Sequence, residues 1–307
     1  PPPSPPPSCI VCAYVTLQPS AAVTFPYQIP SEQCQAYADI IVSNVTSTSA
    51  SVGAVLLQVS PVTCGDDFIK VCFVFSSGAD ASKLQPYMEV LVPSWILGGS
   101  GGAACPPYLN GYTVTAAVAG NGHPASPPSS GCLDYITAAA CAAPPSPVPA
   151  RVCNTTQRLT PFAATPFLET YPGRKTTTLY CFNISLVTPV DPDSFCGSTT
   201  TLRSVEIWAD VDQRARIKGF GLQTAGSTGF TFVPQIWGPV DEATNIIAVK
   251  TSAFYWALSD ANGGKVCLEL DGPATPQTIC KFNGGACWIA LFDESKDCCP
   301  IYQAALP

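Results

Sequence analysis

His123 is the only imidazole in the 307 residues, so any Ser-His-Asp or other general-base chemistry would have to pass through it. It stands in Gly120-Asn-Gly-His123-Pro-Ala-Ser-Pro-Pro, a loop of glycine and proline poorly suited to holding a base in one orientation. Sixteen cysteines offer thiol chemistry or metal ligation. A tetrahedral zinc set is not supplied, because the chain has one CxxC, Cys9-Ile-Val-Cys12, and no second to complete it. The even count of 16 points instead to disulfides throughout and to an oxidising compartment, and it leaves no spare thiol as a nucleophile. Two acidic pairs have the residue types of a glycosidase: Asp210 and Asp212, alternating as on one strand face, and Asp191 and Asp193, flanking Pro192. Acidic strand faces and loops are most often solvated, and that is the reading adopted. Asp66-Asp67 and Asp191/Asp193 carry the hard oxygens calcium prefers, without an EF-hand loop or another full ligand set. No enzyme, no metal site and no cofactor is expected.

What remains reactive is acceptor chemistry for sugar. Asn44-Val-Thr, Asn154-Thr-Thr and Asn183-Ile-Ser are N-glycosylation sequons. Hydrophobic residues make up 47% of the chain and charged ones 11%, so solubility must come from hydroxyls, amides or attached sugar. A net charge of −7 and a pI near 4.6 exclude a phosphate-binding surface, hence nucleic acid as a partner. The basic cluster Arg214, Arg216 and Lys218 alternates with Ala215 and Ile217, as one solvated face of a strand would. No apolar run reaches the roughly eighteen residues that span a bilayer, so no membrane insertion is expected. The sequence opens at Pro1 with no charged-then-apolar leader, and a secretory signal is expected to lie upstream or to have been removed. Trp95, Trp208, Trp237, Trp256 and Trp288 could stack on sugar rings, although core packing is the commoner fate of such residues.

Two proline-rich segments divide the chain: residues 1–8, PPPSPPPS, and 142–150, AAPPSPVPA. Proline fixes φ and removes the amide donor, so both are expected as polyproline II; at about 3.1 Å per residue the first is an arm of roughly 25 Å. The linker separates residues 9–141 from 151–307. Cys9, Cys12, Cys34, Cys64, Cys72, Cys105, Cys132 and Cys141 precede it, and Cys153, Cys181, Cys196, Cys267, Cys280, Cys287, Cys298 and Cys299 follow. Each half can therefore close its own bridges, with the pairing left open; the vicinal Cys298 and Cys299 are expected to reach two different strands, because bonding each other is strained.

Period-two alternation marks strands in the second half: Tyr180, Phe182, Ile184 and Leu186 on one face, then Val205, Ile207, Ala209 and Val211, then 246–251, 266–270 and 287–292. Breaks at Asn262-Gly263-Gly264 and Asn283-Gly284-Gly285 favour antiparallel turns. The first half has strands at 11–17, 54–59 and 69–75 and a helix over 32–45, capped by Ser31, with an apolar stripe of Tyr37, Ile40, Ile41 and Val45. A short helix is expected near 133–141. The fold class is mainly β with minor α: two disulfide-rich antiparallel β-sandwich-like domains, 9–141 and 151–307, joined by the Pro-rich linker and preceded by the arm.

The ordered run Gly264-Lys-Val-Cys267-Leu-Glu-Leu, Cys280, Gly284-Gly285-Ala-Cys287-Trp-Ile-Ala-Leu-Phe292 and Asp297-Cys298-Cys299-Pro300 resembles the closing pattern of the pherophorin domain. Leu179-Tyr-Cys181-Phe-Asn-Ile and Val205-Glu-Ile-Trp208-Ala-Asp extend the likeness over most of 151–307. Residues 9–141 look like a more divergent member, through Cys12-Ala-Tyr-Val-Thr-Leu, Phe25-Pro-Tyr27, Cys34 and Lys70-Val-Cys72-Phe-Val-Phe, which is similar to Lys265-Val-Cys267-Leu-Glu-Leu. Pherophorins are matrix and wall glycoproteins of volvocine algae with a hydroxyproline-rich rod beside or between such domains. The resemblance implies a secreted structural glycoprotein of the extracellular matrix or cell wall. It also implies hydroxylation and O-linked sugar at Pro1, Pro2, Pro3, Ser4, Pro5, Pro6, Pro7, Ser8, Pro144, Pro145, Ser146 and Pro147. The linker is short for the family, so a longer rod would lie upstream of Pro1. The expected partners are matrix glycans or glycoproteins and further copies of the chain, joined into fibres or a lattice head-to-tail through the arm and the strand from Ile10 onward. The alternative is a secreted carbohydrate-binding or cell-adhesion module.

Overall fold

The computed structural model describes residues 8–20, 23–96, 105–129, 131–142, 152–280 and 286–306. The arm apart from Ser8, the linker apart from Ala142, and the Asn283-Gly284-Gly285 turn lie outside the described residues. The chain divides into two compact units, Pro1–Cys105 with Leu109–Ala143 and Pro106–Tyr108 with Pro144–Pro307.

The first unit is built on one antiparallel sheet in the order β2 (Leu56–Val59), β4 (Phe68–Phe75), β1 (Cys9–Pro19), β5 (Tyr112–Ala119) and β6 (Tyr135–Ala140), with β3 (Thr63–Cys64) also pairing β4. One face, with Val11, Ala13, Phe73, Phe75 and Val118 among its residues, meets Val45, Leu84, Met88 and Leu133. Its second layer is therefore helical rather than a second sheet, because α1 (Ser31–Ser51) and α3 (Gln85–Ile96) bring apolar stripes to that face; a short α2 (Gly78–Ser82) precedes α3. Cys34, Ala38, Ile41, Val45 and Ser49 are the buried stripe of α1, at helical spacing, whereas Tyr37 and Ile40 are only half-buried.

Helix α1 outruns the expected 32–45 by six residues because its Ser and Thr side chains turn back onto the helix instead of breaking it. Thr46 Oγ1 donates to the Val42 carbonyl and Ser49 Oγ to that of Val45, each at 2.7 Å. Its N-cap is Pro30, without a side-chain cap, so Ser31 does not play that part. The segment expected as a helix near 133–141 is strand β6. Six consecutive residues pair with β5, and Cys105–Cys141 ties its end, so tertiary pairing overrides the helical preference of alanine. Strand β1 is central, hydrogen-bonded to β4 on one side and β5 on the other. From Cys12 to Thr16 both edges of β1 are taken within the sheet, while Ile10 and Val11 are paired on the β4 side.

The second unit holds two antiparallel sheets. One runs β11 (Thr231–Val233), β10 (Ile217–Gln223), β15 (Lys265–Asp271), β8 (Thr177–Leu186), β7 (Phe162–Pro172); the other runs β12 (Ile236–Asp241), β13 (Ile246–Lys250), β9 (Thr201–Asp210), β16 (Cys287–Asp293), β17 (Ile301–Ala304), with β14 (Trp256–Ala257) on β9. Each sheet buries an apolar face: Tyr180, Phe182 and Ile184 with Val266, Leu268 and Leu270 in the first, and Val205, Ile207 and Ala209 with Ile289 and Leu291 in the second. Two short helices, α4 (Leu258–Ala261) and α5 (Pro276–Ile279), bracket β15. The end of the chain is stitched to β7 where that strand bulges: the Leu168 amide donates to Ala305 O at 2.8 Å and the Ala305 amide to Pro166 O at 3.2 Å. Val211 to Arg216 form a 3₁₀ turn rather than the continuation of β9, so Val211 leaves the strand face and Arg214 and Arg216 leave the strand expected of them.

All sixteen cysteines are bridged within their own unit: Cys9–Cys132, Cys12–Cys72, Cys34–Cys64 and Cys105–Cys141 in the first, Cys153–Cys299, Cys181–Cys267, Cys196–Cys298 and Cys280–Cys287 in the second. Met88 is fully buried between α3 and the sheet. Met88→Ala is expected to destabilise the chain by about 3 kcal/mol, read as a lower denaturant midpoint at unchanged slope.

Candidate functional site

The residues considered for catalysis do not converge. His123 is exposed on a turn closed by a bridge to Ser126, and its Nδ1 accepts from the Ala125 amide at 3.2 Å. Asp210 and Asp212 do not share a strand face. Asp210 ends β9 and caps the 3₁₀ turn, accepting from the Asp212 amide at 3.0 Å, while Asn245 Nδ2 donates to both carboxylates at 3.2 and 3.1 Å. Asp191 and Asp193 build a turn in which the Asp193 amide donates to Asp191 Oδ1. Asp66 and Asp67 are exposed, and their carbonyls accept from the amides of Ile29 and Leu17. Among the described residues no cluster of three or more His, Cys, Asp or Glu could hold a metal ion.

Four tryptophans, Trp95, Trp208, Trp256 and Trp288, are buried. Trp237, on edge strand β12, is half-buried with the Arg214 guanidinium 4.5 Å over its ring. Lys218 pairs with Asp271 at 3.1 Å, so that part of the basic cluster is a surface ion pair.

Polar chemistry is concentrated instead on the outer face of the β7–β8–β15 sheet, which sequence reasoning did not identify. Glu169 accepts from Asn183 Nδ2 at 2.6 Å, Lys265 Nζ at 2.7 Å and Tyr171 Oη at 2.5 Å. Next to it the fully buried side chain of Glu269 accepts from Arg174 Nε, Nη2 and backbone amide and from Thr177 Oγ1. Burial works to raise both carboxyls, but the donors around them prevail and hold Glu169 and Glu269 below the usual carboxylate range. Burial likewise works to lower Lys265, and Glu169 prevails in raising it. The face is completed by Tyr171, Phe230 and Phe232 packed on Leu179 and the Cys181–Cys267 bridge. The signal was present in the sequence as Lys265, Cys267 and Glu269 alternating along one strand. Every carboxylate there is saturated with donors, so the cluster is a strut and not an acid–base pair.

A similar arrangement exists in the first unit. Cys12 and Cys72 stand directly opposite, Lys70 lies opposite Tyr14, and Lys70 Nζ sits 5.6 Å from the centre of the Tyr14 ring. In the second unit Cys181 opposes Cys267 and Lys265 opposes Asn183. The Tyr14 hydroxyl donates to Gly120 O at 2.6 Å and accepts from the Gly122 amide at 2.9 Å, pinning the loop that carries His123.

The three sequons differ in how free their amides are. Asn154 is exposed; its Oδ1 accepts from the Thr156 amide at 3.1 Å and its Nδ2 makes no hydrogen bond among the described residues. Asn44 is half-buried on α1, with its side-chain amide likewise without a hydrogen bond there. Asn183 lies inside β8 with Nδ2 held by Glu169 and Oδ1 by Lys265. Of the hydroxylation and O-glycosylation candidates only Ser8 is described, and it is exposed.

Residues 148–300 match the family model described as Pherophorin. Over 98% of its length the chain is 33% identical to Perphorin-1 of Volvox carteri, covering 59% of that protein. The chain belongs to the pherophorin family. Perphorin-2 of the same alga is 33% identical over 99% of this chain and 63% of its own length, and the sexual inducer glycoprotein of Volvox carteri is 28% identical over 57% of this chain and 91% of its own length. This pherophorin chain thus spans about three-fifths of the two perphorins. Among solved structures, a biofilm associated protein BSP domain aligns at a TM-score of 0.30 with 10% identity, covering 96% of this chain and 52% of that one, which is too slight a likeness to carry an argument.

Arg174→Ala should cost about 2 kcal/mol at neutral pH, because it strips the charge partner from a buried carboxylate while the half-exposed site lets water screen part of the loss. Both carboxyls have lowered folded-state pKa values, so their contribution is present above the ordinary glutamate range and is lost as pH falls below about 4. Glu269→Gln should flatten that acid dependence in denaturant unfolding followed against pH.

Proposed function

We propose that the chain is a secreted structural glycoprotein of an extracellular matrix or cell wall that assembles with further copies of itself, and that it is not an enzyme. The observation that carries this reading is the full cystine framework, eight bridges with no free thiol, in a chain of pherophorin ancestry. Such a framework needs an oxidising compartment, and among the described residues His123 and the paired aspartates do not converge on one site. One relative is itself named a glycoprotein, and the Nδ2 groups of Asn44 and Asn154, the atoms that would carry sugar, make no hydrogen bond among the described residues. No described helix is long and apolar enough to cross a membrane. The carbohydrate-binding alternative loses its main support with four of five tryptophans buried.

Intact-mass analysis of the native material under non-reducing conditions should give a mass well above the 32.1 kDa polypeptide, and electron microscopy should show ordered fibres or sheets. Peptide mapping after enzymatic release of N-glycans should find sugar at Asn154 and Asn44 and little at Asn183. Dispersed monomers of bare polypeptide mass would sink the reading.

A further inference from the structure

A strand at the border of a sheet exposes a row of unpaired N–H and C=O groups, and proteins that remain monomeric guard such borders with bulges, prolines, charges or covering segments. Most borders of this chain are guarded in that way. β2 is four residues long and bulges between Leu56 and Gln58. β7 carries Pro166 and Pro172, bulges, and is bonded to Ala305. β11 is three residues long and is followed by Pro234. β12 bulges around Pro239, and β17 is four residues long and bonded to Thr155.

Among the described residues β6 has none of these devices. Tyr-Ile-Thr-Ala-Ala-Ala contains no charge and no proline, and its register against β5 runs unbroken from Tyr135 to Ala140. The Cys141 amide bonds to Tyr112 O across that register, so by antiparallel alternation Ile136, Ala138 and Ala140 turn their backbone groups away from β5. Those groups make no hydrogen bond among the described residues. The side chains of the same three residues are exposed, Ile136 to 67%, while Tyr135, Thr137 and Ala139 are half-buried on the other face.

We propose that β6 is a self-association edge at which a second copy of this chain pairs antiparallel with the first, about a two-fold axis through Ala138. Ala138 then exchanges backbone bonds with its own counterpart, and Ile136 meets Ala140 in both directions, a large side chain against a small one. That register sets Asp134 opposite Ala142 rather than opposite another carboxylate, so a chain of net charge −7 meets its copy at a neutral seam. A proline-rich arm does not fit the same edge, because PPPSPPPS has backbone amide donors only at Ser4 and Ser8. The contact is isologous and closes at two copies, fusing two sheets into one.

The proposal names one contact within the assembly read above, and its test is separable from that reading. Sedimentation of the full secreted chain should show a reversible dimer. Ala138→Lys and Ala138→Glu should each weaken it by about a hundredfold through like charges facing across the axis, and mixing the two variants should restore a heterodimer. Restoration also rules out misfolding as the cause of the single losses. A chain that is monomeric at every accessible concentration overturns the proposal, even if native material forms fibres, in which case the matrix reading stands without it. Dimers that persist in both variants, or variants that fail to recombine, overturn it as well.

Discussion

Cys12 faces Cys72, and Cys181 faces Cys267, across adjacent strands at the middle of their sheets, and the rest of each sheet is organised around that bond. A cystine between directly opposed residues fixes register, and a slip of one position would exchange the two faces of every strand it joins. In the first unit the bridge seats Tyr14, Ala117 and Ala119 on the face away from the helices, where the loop at residues 120–129 closes over them. In the second it lies under Tyr171, Phe230 and Phe232, with the Glu169 and Glu269 clusters beside it. With only 11% charged residues, covalent register takes over much of what surface charge does elsewhere to reject wrong pairings.

The charged residues that do exist are placed as struts. Glu269 and Glu206 are almost completely buried, each with a partly exposed cation, Arg174 or Lys250, whose long stem reaches water. A carboxylate surrounded by donors is structurally firm and chemically quiet. The same residue type that would serve acid–base catalysis when short of donors holds strands together when oversupplied with them.

The strands of the second unit were legible because period two survives wherever one face is buried and the other is not: Tyr180, Phe182 and Ile184 declare themselves, as do Val205, Ile207 and Ala209. The limits lay where side chains and pairing partners act at a distance. Ser47, Thr48, Ser49 and Ser51 resemble a loop in one dimension, yet their hydroxyls or packing continue α1. Ala138, Ala139 and Ala140 resemble a helix, yet β5 recruits them as a strand. α3 escaped notice because Pro86 and Pro93 punctuate it, although Met88, Val92, Trp95 and Ile96 hold its buried face. For the candidate sites, the sequence showed which asparagines stand in sequons but not that Asn183 is locked between Glu169 and Lys265, since that depends on three strands meeting.

The covalent path through the chain has a mechanical meaning. Cys153 and Cys299 are 146 residues apart in sequence and bonded to each other, and the neighbouring Cys298 closes a second loop to Cys196. Tension entering the second unit at its first cysteine leaves at its last through a single S–S bond, and almost none of the folded residues between them bears the load. In the first unit Cys9 leads to Cys132, and only the short stretch from there to Cys141 stays in series with the pull. Pulled between Cys9 and Cys299, the chain would carry the load through the Cys9–Cys132 and Cys153–Cys299 bonds, and β6 is the one described strand in series between them.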